Sequence, residues 1–370
     1  MDFNDILEMM VQKKASDLFI TADVPPSLKI HGSIQPVSKT RLDAAQAREL
    51  TLSLMTPEQR DEFLHTKECN FAFSAKNIGR FRVSAFVQRD AVGMVLRRIE
   101  TRIPTFDELG LPPSLNDLAM TNRGIVFFVG ATGTGKSTSL AAMVGYRNNN
   151  STGHIISIED PIEFLHSHAG CIVTQREVGI DTESYEIALR NTLRQAPDVI
   201  LIGEIRTREA MEHAIAFAET GHLVLTTLHA NNANQALERM LHFFPEEQHD
   251  QVLMDLSLNL RGIVAQQLLP RPDGRGRRAI MEILLNTPLA SDLILKGDVP
   301  KIKELMKRST EHGMITFDQA LYDAFRRGDV TQEDALRYAD SSNEVRLMIK
   351  LGDTSPNALS REASNLNFTD

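Results

Sequence analysis

Apolar residues recur along this chain with two periods, and the switch between them divides it. Between residues 2 and 14, Phe3, Ile6, Leu7 and Met10 fall at helical spacing, which predicts an amphipathic helix. Residues 18–21 and 27–31 alternate about a Pro25-Pro26 turn, the period of a half-buried strand. Two helices follow, and the second opens on Thr56-Pro57-Glu58-Gln59. There Thr can accept a backbone N–H, Pro sits where the first helical N–H has no partner, and Gln can reach back to the cap. Residues 70–74, 79–88 and 92–99 return to the strand period. Short strands with helices on one side predict an α+β module over residues 1–100.

Residues 101–121, with Pro104, Pro112 and Pro113, are expected to be a linker of restricted path. Beyond them the pattern changes. Apolar runs at 124–129, 155–158, 199–203, 223–228 and 278–284 alternate with helical stretches. That alternation predicts, for residues 122–287, an α/β domain with a mainly parallel sheet covered on both faces. Residues 289–296, 302–311, 316–327 and 331–338 read as short helices punctuated by Gly313 and Gly328, a helical region over 288–350. Residues 351–370 are polar, rich in Ser and Asn, and expected to be disordered.

A chain of 370 residues exceeds one ordinary core, in keeping with this division. No apolar run approaches the roughly 20 residues that cross a bilayer, and Met1 to Asp5 are acidic and polar where a secretory signal would be basic. The two cysteines, Cys69 and Cys171, lie far apart without a CxxC pair. They argue against a disulfide framework and a structural zinc site, and point to a reducing cytoplasm. A net charge of −9, no Trp and four Tyr argue against nucleic acid as the main partner.

The chemistry begins directly behind the first long apolar run. Gly130, Ala131, Thr132, Gly133, Thr134, Gly135, Lys136 and Ser137 fit the phosphate-binding pattern G-x-x-x-x-G-K-[ST], and Thr138 continues into a predicted helix. Strand, loop and helix together aim backbone N–H groups and a helix dipole at an anion. Lys136 would reach the β and γ phosphates of ATP, and the Ser137 hydroxyl would ligate Mg²⁺. Glu159, Asp160 and Glu163 come after the strand at 155–158, on the side where such sheets bind ligands. The strand at 199–203 ends on Gly203-Glu204, with Gly where a Walker B strand ordinarily carries Asp. Metal binding would then rest on Ser137 with Glu159 and Asp160, leaving Glu204 to position or deprotonate the attacking water. His222 and His229 bracket the strand at 223–228; by spacing alone neither is distinguished from a structural hydrogen-bonder.

The phosphate loop, IEDPIEF at 158–164, DVILIGEIR at 198–206 and the segment from Thr220 to His229 occur in the order and spacing of the secretion ATPase superfamily, and the chain resembles its type IV pilus retraction branch, the PilT/PilU family. The likeness covers about residues 1–350, including ASDL at 15–18 and GRFRVSAF at 79–86. It implies hexameric rings whose subunits pair a PAS-like N-terminal domain with a RecA-like P-loop ATPase domain followed by C-terminal helices, ATP being held between subunits. It further implies Lys136 and Ser137 as phosphate and Mg²⁺ ligands, Glu204 as the catalytic glutamate, and Glu159, Asp160 and Glu163 as an acidic box in which Glu163 assists catalysis. His222 and His229 would sense phosphate or tie the site to the ring interface. Arginines of the N-terminal domain would reach ATP; of Arg80, Arg82, Arg97 and Arg98, the reading favours Arg82 and Arg97.

Three departures incline the resemblance towards PilU. Residues 289–294 read LASDLI, without the arginine of the AIRNLI helix found in PilT; Ala196-Pro197-Asp198 stands for Asp-Pro-Asp, with Thr207 in place of Asp after Arg206; and the C-terminal extension is longer. The resemblance thus implies an ATPase that assists pilus retraction beside a PilT-type motor, acting on the pilus platform protein from the cytoplasmic face of the inner membrane. The alternatives it leaves are an accessory protein that mainly binds that motor, and an extension or secretion ATPase of the same superfamily. Many of the latter carry a four-cysteine zinc insert that two cysteines cannot build.

Overall fold

The computed structural model describes residues 3–30, 32–274 and 276–352. Most of the stretch expected to be disordered, residues 353–370, lies outside them. The chain forms two compact units, Met1–Arg102 with Ile162–His166 and Ile103–Pro161 with Ser167–Asp370.

The first unit contains α1 (Phe3–Gln12), β1 (Asp17–Ile20), β2 (Ser27–Ile30), β3 (Ser33–Pro36), α2 (Ala44–Ser53), α3 (Pro57–Thr66), β4 (Glu68–Ala75), β5 (Gly79–Gln88) and β6 (Ala91–Arg98). Its sheet has the order β3-β2-β1-β6-β5-β4, antiparallel at every pairing. Alternation puts Leu18, Ile20, Phe81, Val83, Met94 and Leu96 on one face, where they bury with Leu7 and Met10 of α1 and Phe63 of α3. The expected cap of α3 forms, with the Gln59 N–H donating to the Thr56 hydroxyl at 3.3 Å and the Thr56 N–H to Gln59 Oε1 at 3.0 Å.

The second unit contains α4 (Phe106–Leu109), α5 (Ser114–Ala119), β7 (Gly124–Val129), α6 (Lys136–Asn150), β8 (Gly153–Glu159), β9 (Cys171–Glu177), α7 (Tyr185–Thr192), β10 (Val199–Ile202), α8 (Arg208–Glu219), β11 (Leu223–Leu228), α9 (Ala233–Leu241), α10 (His249–Asn259), β12 (Leu260–Pro270), β13 (Arg277–Leu285), α11 (Pro288–Leu295), α12 (Val299–Arg308), α13 (Phe317–Arg326), α14 (Gln332–Arg337) and α15 (Ser342–Gly352). Seven strands form one sheet in the order β13-β12-β7-β11-β10-β8-β9, parallel except for the edge pair β12–β13. Strand β7 shows why its run is continuously apolar: Ile125, Phe127 and Val129 enter one core with α8–α10 and the C-terminal helices, while Val126 and Phe128 enter the other with α5 and α6.

The segment expected to be a linker is instead part of this unit. Phe106, Leu115, Leu118 and Ala119 are buried against Phe128 and Met143, and Thr105 caps α4 with a capping box. Pro104 directly precedes the Thr105 cap of α4, and Pro113 is the residue before α5. No described helix is long and apolar enough to cross a membrane.

Candidate functional site

A parallel sheet delivers the segment after each strand to one edge. In the order β7-β11-β10-β8, the residues emerging at that edge are the glycine-rich loop, His229, Gly203-Glu204 and Glu159-Asp160. Register fixes their level, with Val129 opposite Leu228, and Ile202 opposite both Thr226 and Ile158. Segments far apart in sequence are thereby brought together.

The loop is shaped by left-handed or near-extended glycines, Gly130 at φ 152°, Gly133 at 80° and Gly135 at 85°. A Cβ on Gly130 would stand 2.6 Å from the Gln266 carbonyl oxygen and 2.7 Å from Thr134 Oγ1, whereas one on Gly133 would meet nothing within 4 Å. The loop is therefore tight at its base and open at its crest, where a phosphate would lie. Helix α6 begins at Lys136 without a side-chain cap, so its first N–H groups face the loop. The buried Lys136 donates from Nζ to the carbonyls of Gly130 at 2.7 Å and Ala131 at 2.9 Å. Gln266 of β12 donates to the Thr134 carbonyl at 2.9 Å, fastening the loop from outside. These features fit a nucleotide polyphosphate.

Glu204 joins the strand ends into one hydrogen-bonded chain. Its Oε1 lies 2.9 Å from His229 Nε2, and the same imidazole's Nδ1 lies 3.3 Å from the Gly130 carbonyl oxygen. Its Oε2 accepts from Arg206 Nε at 2.9 Å and Nη2 at 2.8 Å. Bonding to Glu204 makes Arg206 hold its proton more tightly than usual. Both carboxylate oxygens are thus engaged, and Glu204 is not the unencumbered base that its position alone suggests. Next to this chain, Gly130, Ala131 and His229 line a cleft of about 340 Å³ continued by Asn231, Gln235 and Arg239 of the α9 region. A larger cleft of about 610 Å³, between α5 and α13, lies around Pro113, Met314 and Tyr322 and touches none of these residues.

Glu159 accepts from Ser157 Oγ at 2.6 Å and Gln175 Nε2 at 3.2 Å. Tyr185 is pushed well above the usual phenol range, first by burial and then by Asp160 and Glu159. Among the described residues no group of three His, Cys, Asp or Glu could hold a metal ion by itself. Mg²⁺ at such a site would depend on Ser137 and the phosphates of its substrate, the mode in which Mg²⁺ is commonly bound.

Other expected residues do not join this chain. His222 precedes β11 at the opposite sheet edge, where its Nδ1 meets the Phe217 carbonyl and the Thr220 hydroxyl, each at 3.1 Å. The six residues of β11 separate it from His229 by roughly 20 Å, so within one chain it does not reach the glycine-rich loop. Glu163 is exposed and belongs to the first unit, while Glu159 and Asp160 belong to the second. Arg82 and Arg97 are direct cross-strand neighbours on β5 and β6, on the face opposite the core residues. Arg97 is paired with the buried Asp17 at 2.8 Å. Three residues of the site, Arg206, Tyr185 and Gln266, are not singled out by the sequence pattern. Arg206 stands inside the DVILIGEIR segment itself; Gln266 sits in a strand that the apolar runs do not mark.

The family described as Type II/IV secretion system protein matches residues 1–337. The type IV pilus ATPase PilU of Pseudomonas aeruginosa is 69% identical over 355 residues, 96% of this chain and 93% of that protein. The type IV pilus retraction ATPase PilT of the same organism is 37% identical over 335 residues, 90% of this chain and 97% of that protein. A crystal structure of the pilus retraction motor PilT with bound ADP superposes with a TM-score of 0.88 at 37% identity, over 94% of this chain and 100% of that one.

Proposed function

The chain belongs to the Type II/IV secretion system protein family, in its PilT/PilU group, and from that premise we propose that it hydrolyses ATP to assist type IV pilus retraction beside a PilT-type motor. The observation that carries the reading is the chain Gly130–His229–Glu204–Arg206. It ties a phosphate loop to a carboxylate through an imidazole, so a change at the phosphates can be felt at the base.

In this reading the 130–137 loop binds ATP, its N–H groups and the Lys136 ammonium replacing the solvent around the phosphates. For Lys136 to do so, its two carbonyl bonds must yield. Bound Mg²⁺ would draw charge from the β and γ phosphates, held on the protein side by Ser137 with Asp160 and Glu159 nearby. Glu204 orients the attacking water and accepts its proton; His229 and Arg206 steady the carboxylate until the water arrives. Arg82 and Arg97 would add positive charge at the phosphates, and Glu163 a further carboxylate, once subunits assemble into a hexamer. The proton balance is ordinary: water loses one proton to Glu204 and its oxygen joins the γ phosphorus as ADP leaves.

A PilU-type role is favoured over a PilT-type one by 69% against 37% identity. The proposed partners are a PilT-type motor and the platform protein at the cytoplasmic face of the inner membrane. Steady-state Mg-ATP hydrolysis by the full chain, alone and with the cognate retraction motor, tests this. Turnover that Glu204→Gln abolishes supports a motor subunit; none in either condition overturns the proposal in favour of an accessory binding protein.

A further inference from the structure

Glu282 on β13 is a buried acidic side chain that the mechanism above leaves unused, and it is 2% exposed. Its Oε1 accepts the Ala233 N–H at 2.8 Å and its Oε2 the Phe317 N–H at 3.3 Å. Ala233 is the first residue of α9 and Phe317 the first of α13. Each helix has its own side-chain cap, Asn232 to the Gln235 N–H and Thr316 to the Gln319 N–H. Glu282 therefore accepts the first N–H of each helix, which those caps leave, and receives the positive ends of two helix dipoles at once.

The place of α9 gives this bond a consequence. Residues 230–232 alone separate its first residue from His229, which reaches Gly130 and Glu204. The loop carrying His229 is thus held at one end by the phosphate loop and at the other by Glu282. Through Phe317 the same carboxylate grips α13, whose Asp318 accepts the N–H groups of Asp340 and Ser341 ahead of α15. Lys303 of α12, paired with Asp340, brings a positive charge to this network. Burial raises the Glu282 carboxyl to about 7, with Asp340 adding to the rise and Lys303 and the two N–H bonds opposing it.

We propose that Glu282 is a positioning residue for the nucleotide site, fixing the His229 loop in register with the C-terminal helices so that movement of either is passed to the other. This rests on the assignment of His229 and Glu204 to ATP hydrolysis. A neutral amide of the same shape, Glu282→Gln, must turn an NH₂ towards one of the two backbone N–H groups, so one helix start is released.

The test compares full-length wild type, Glu282→Gln and Glu204→Gln for Mg-ATP kcat and KM, affinity for a fluorescent ADP analogue, and thermal melting. We expect Glu282→Gln to melt cooperatively and bind the analogue within about threefold of wild type while kcat falls roughly tenfold or more, the size of a small misplacement near the reacting atoms. A kcat within twofold of wild type, or a loss of kcat matched by an equal loss of binding, overturns the proposal. Should Glu282→Gln fail to fold, Glu282→Asp, which keeps the charge but shortens its reach, is judged by the same criteria. If wild type itself does not turn over ATP, the hydrolysis reading fails separately, and amide hydrogen exchange decides. Faster exchange across 229–236 as well as 316–320 in the variant supports the coupling, and a rise confined to 316–320 refutes it.

Discussion

Replacing Gly203 by Asp would give the chain the carboxylate that a Walker B strand ordinarily carries, and we expect it to damage the site. A Cβ on Gly203 would stand 2.9 Å from the Tyr185 hydroxyl and 3.2 Å from both the Glu159 Cα and the Ile158 carbonyl oxygen. The Tyr185 ring can tilt, but the other two atoms are backbone of β8, which is bonded to β10 and β9 on either side. Alanine at this position therefore costs about 1–3 kcal/mol in overpacking. Aspartate adds a carboxylate beside Glu159 and Glu204; one like charge at about 5–6 Å in an effective dielectric of about 20 costs about 3 kcal/mol, unless the new group takes a proton. The sum is about 4–6 kcal/mol, or roughly 8–24 °C in melting temperature for a unit of this size. Thermal melts of Gly203→Ala and Gly203→Asp, run beside Mg-ATP turnover, check the ordering: wild type above Ala above Asp in stability, with turnover falling in the same order. A Gly203→Asp protein that melts within about 2 °C of wild type, or that hydrolyses ATP faster, would refute the packing argument and restore Gly203 as a mere vacancy for a metal ligand.

Lys136→Ala should abolish measurable binding of a fluorescent ATP analogue while leaving the melting temperature nearly unchanged, because water can replace Nζ at two loop carbonyls; calorimetry and binding titration check both halves. Glu204→Gln should keep nucleotide affinity but lower kcat by about 10²–10⁴-fold, the range for losing a general base, as read in a coupled ATPase assay. His229→Ala should lower kcat, whereas His222→Ala should leave nucleotide binding intact and cost only about 0.5–1.5 kcal/mol for one lost hydrogen bond, measured by urea unfolding. Because the folded Glu282 carboxyl sits at about 7 against 4.5 for its ordinary value, the fold holds a proton that the unfolded chain releases between those values. That stability is present at the acid end and is lost as pH rises through about 7; relative to Glu282→Gln, wild type should lose at most about 3 kcal/mol between pH 5 and pH 8 in urea titrations.

In the seven-stranded sheet, the strands legible in the sequence are those whose apolar runs are bounded by polar or glycine punctuation: β7, β8, β10, β11 and most of β13. Two others are not legible. Strand β12 comes after α10 with no Gly or Pro between them, Leu260 closing the helix and opening the strand, and its buried Gln266 breaks the apolar run. Strand β9 is an edge strand whose Ile172 is 62% exposed, so it lacks the continuous burial that marks its neighbours. The short helices α4 and α5 are hidden by their prolines, which signal a stiff tether as readily as a helix start. In the site, the loop and Glu204 are legible because a strand end next to a reactive group needs no tertiary information. The difference between His222 and His229 is not, since both flank one strand and only the direction of that strand in the sheet says which faces the phosphate loop.

That direction also accounts for the displaced carboxylate. Gly203 is tied on both sides, its N–H donating to the Ile158 carbonyl at 2.8 Å and its carbonyl accepting from Thr227 Oγ1 at 2.7 Å. Ile205 returns at once to the core, its N–H bonded to the Thr227 carbonyl at 3.0 Å. Glu204 is the single residue between two anchored neighbours, so its side chain is presented at the sheet edge with little backbone freedom. A carboxylate so placed needs partners to hold its head, and these are His229 from the next strand and Arg206 two residues on. The order of segments along the chain therefore carries less of the chemistry than the parallel register, which turns one glycine and one glutamate into a fixed carboxylate beside the glycine-rich loop.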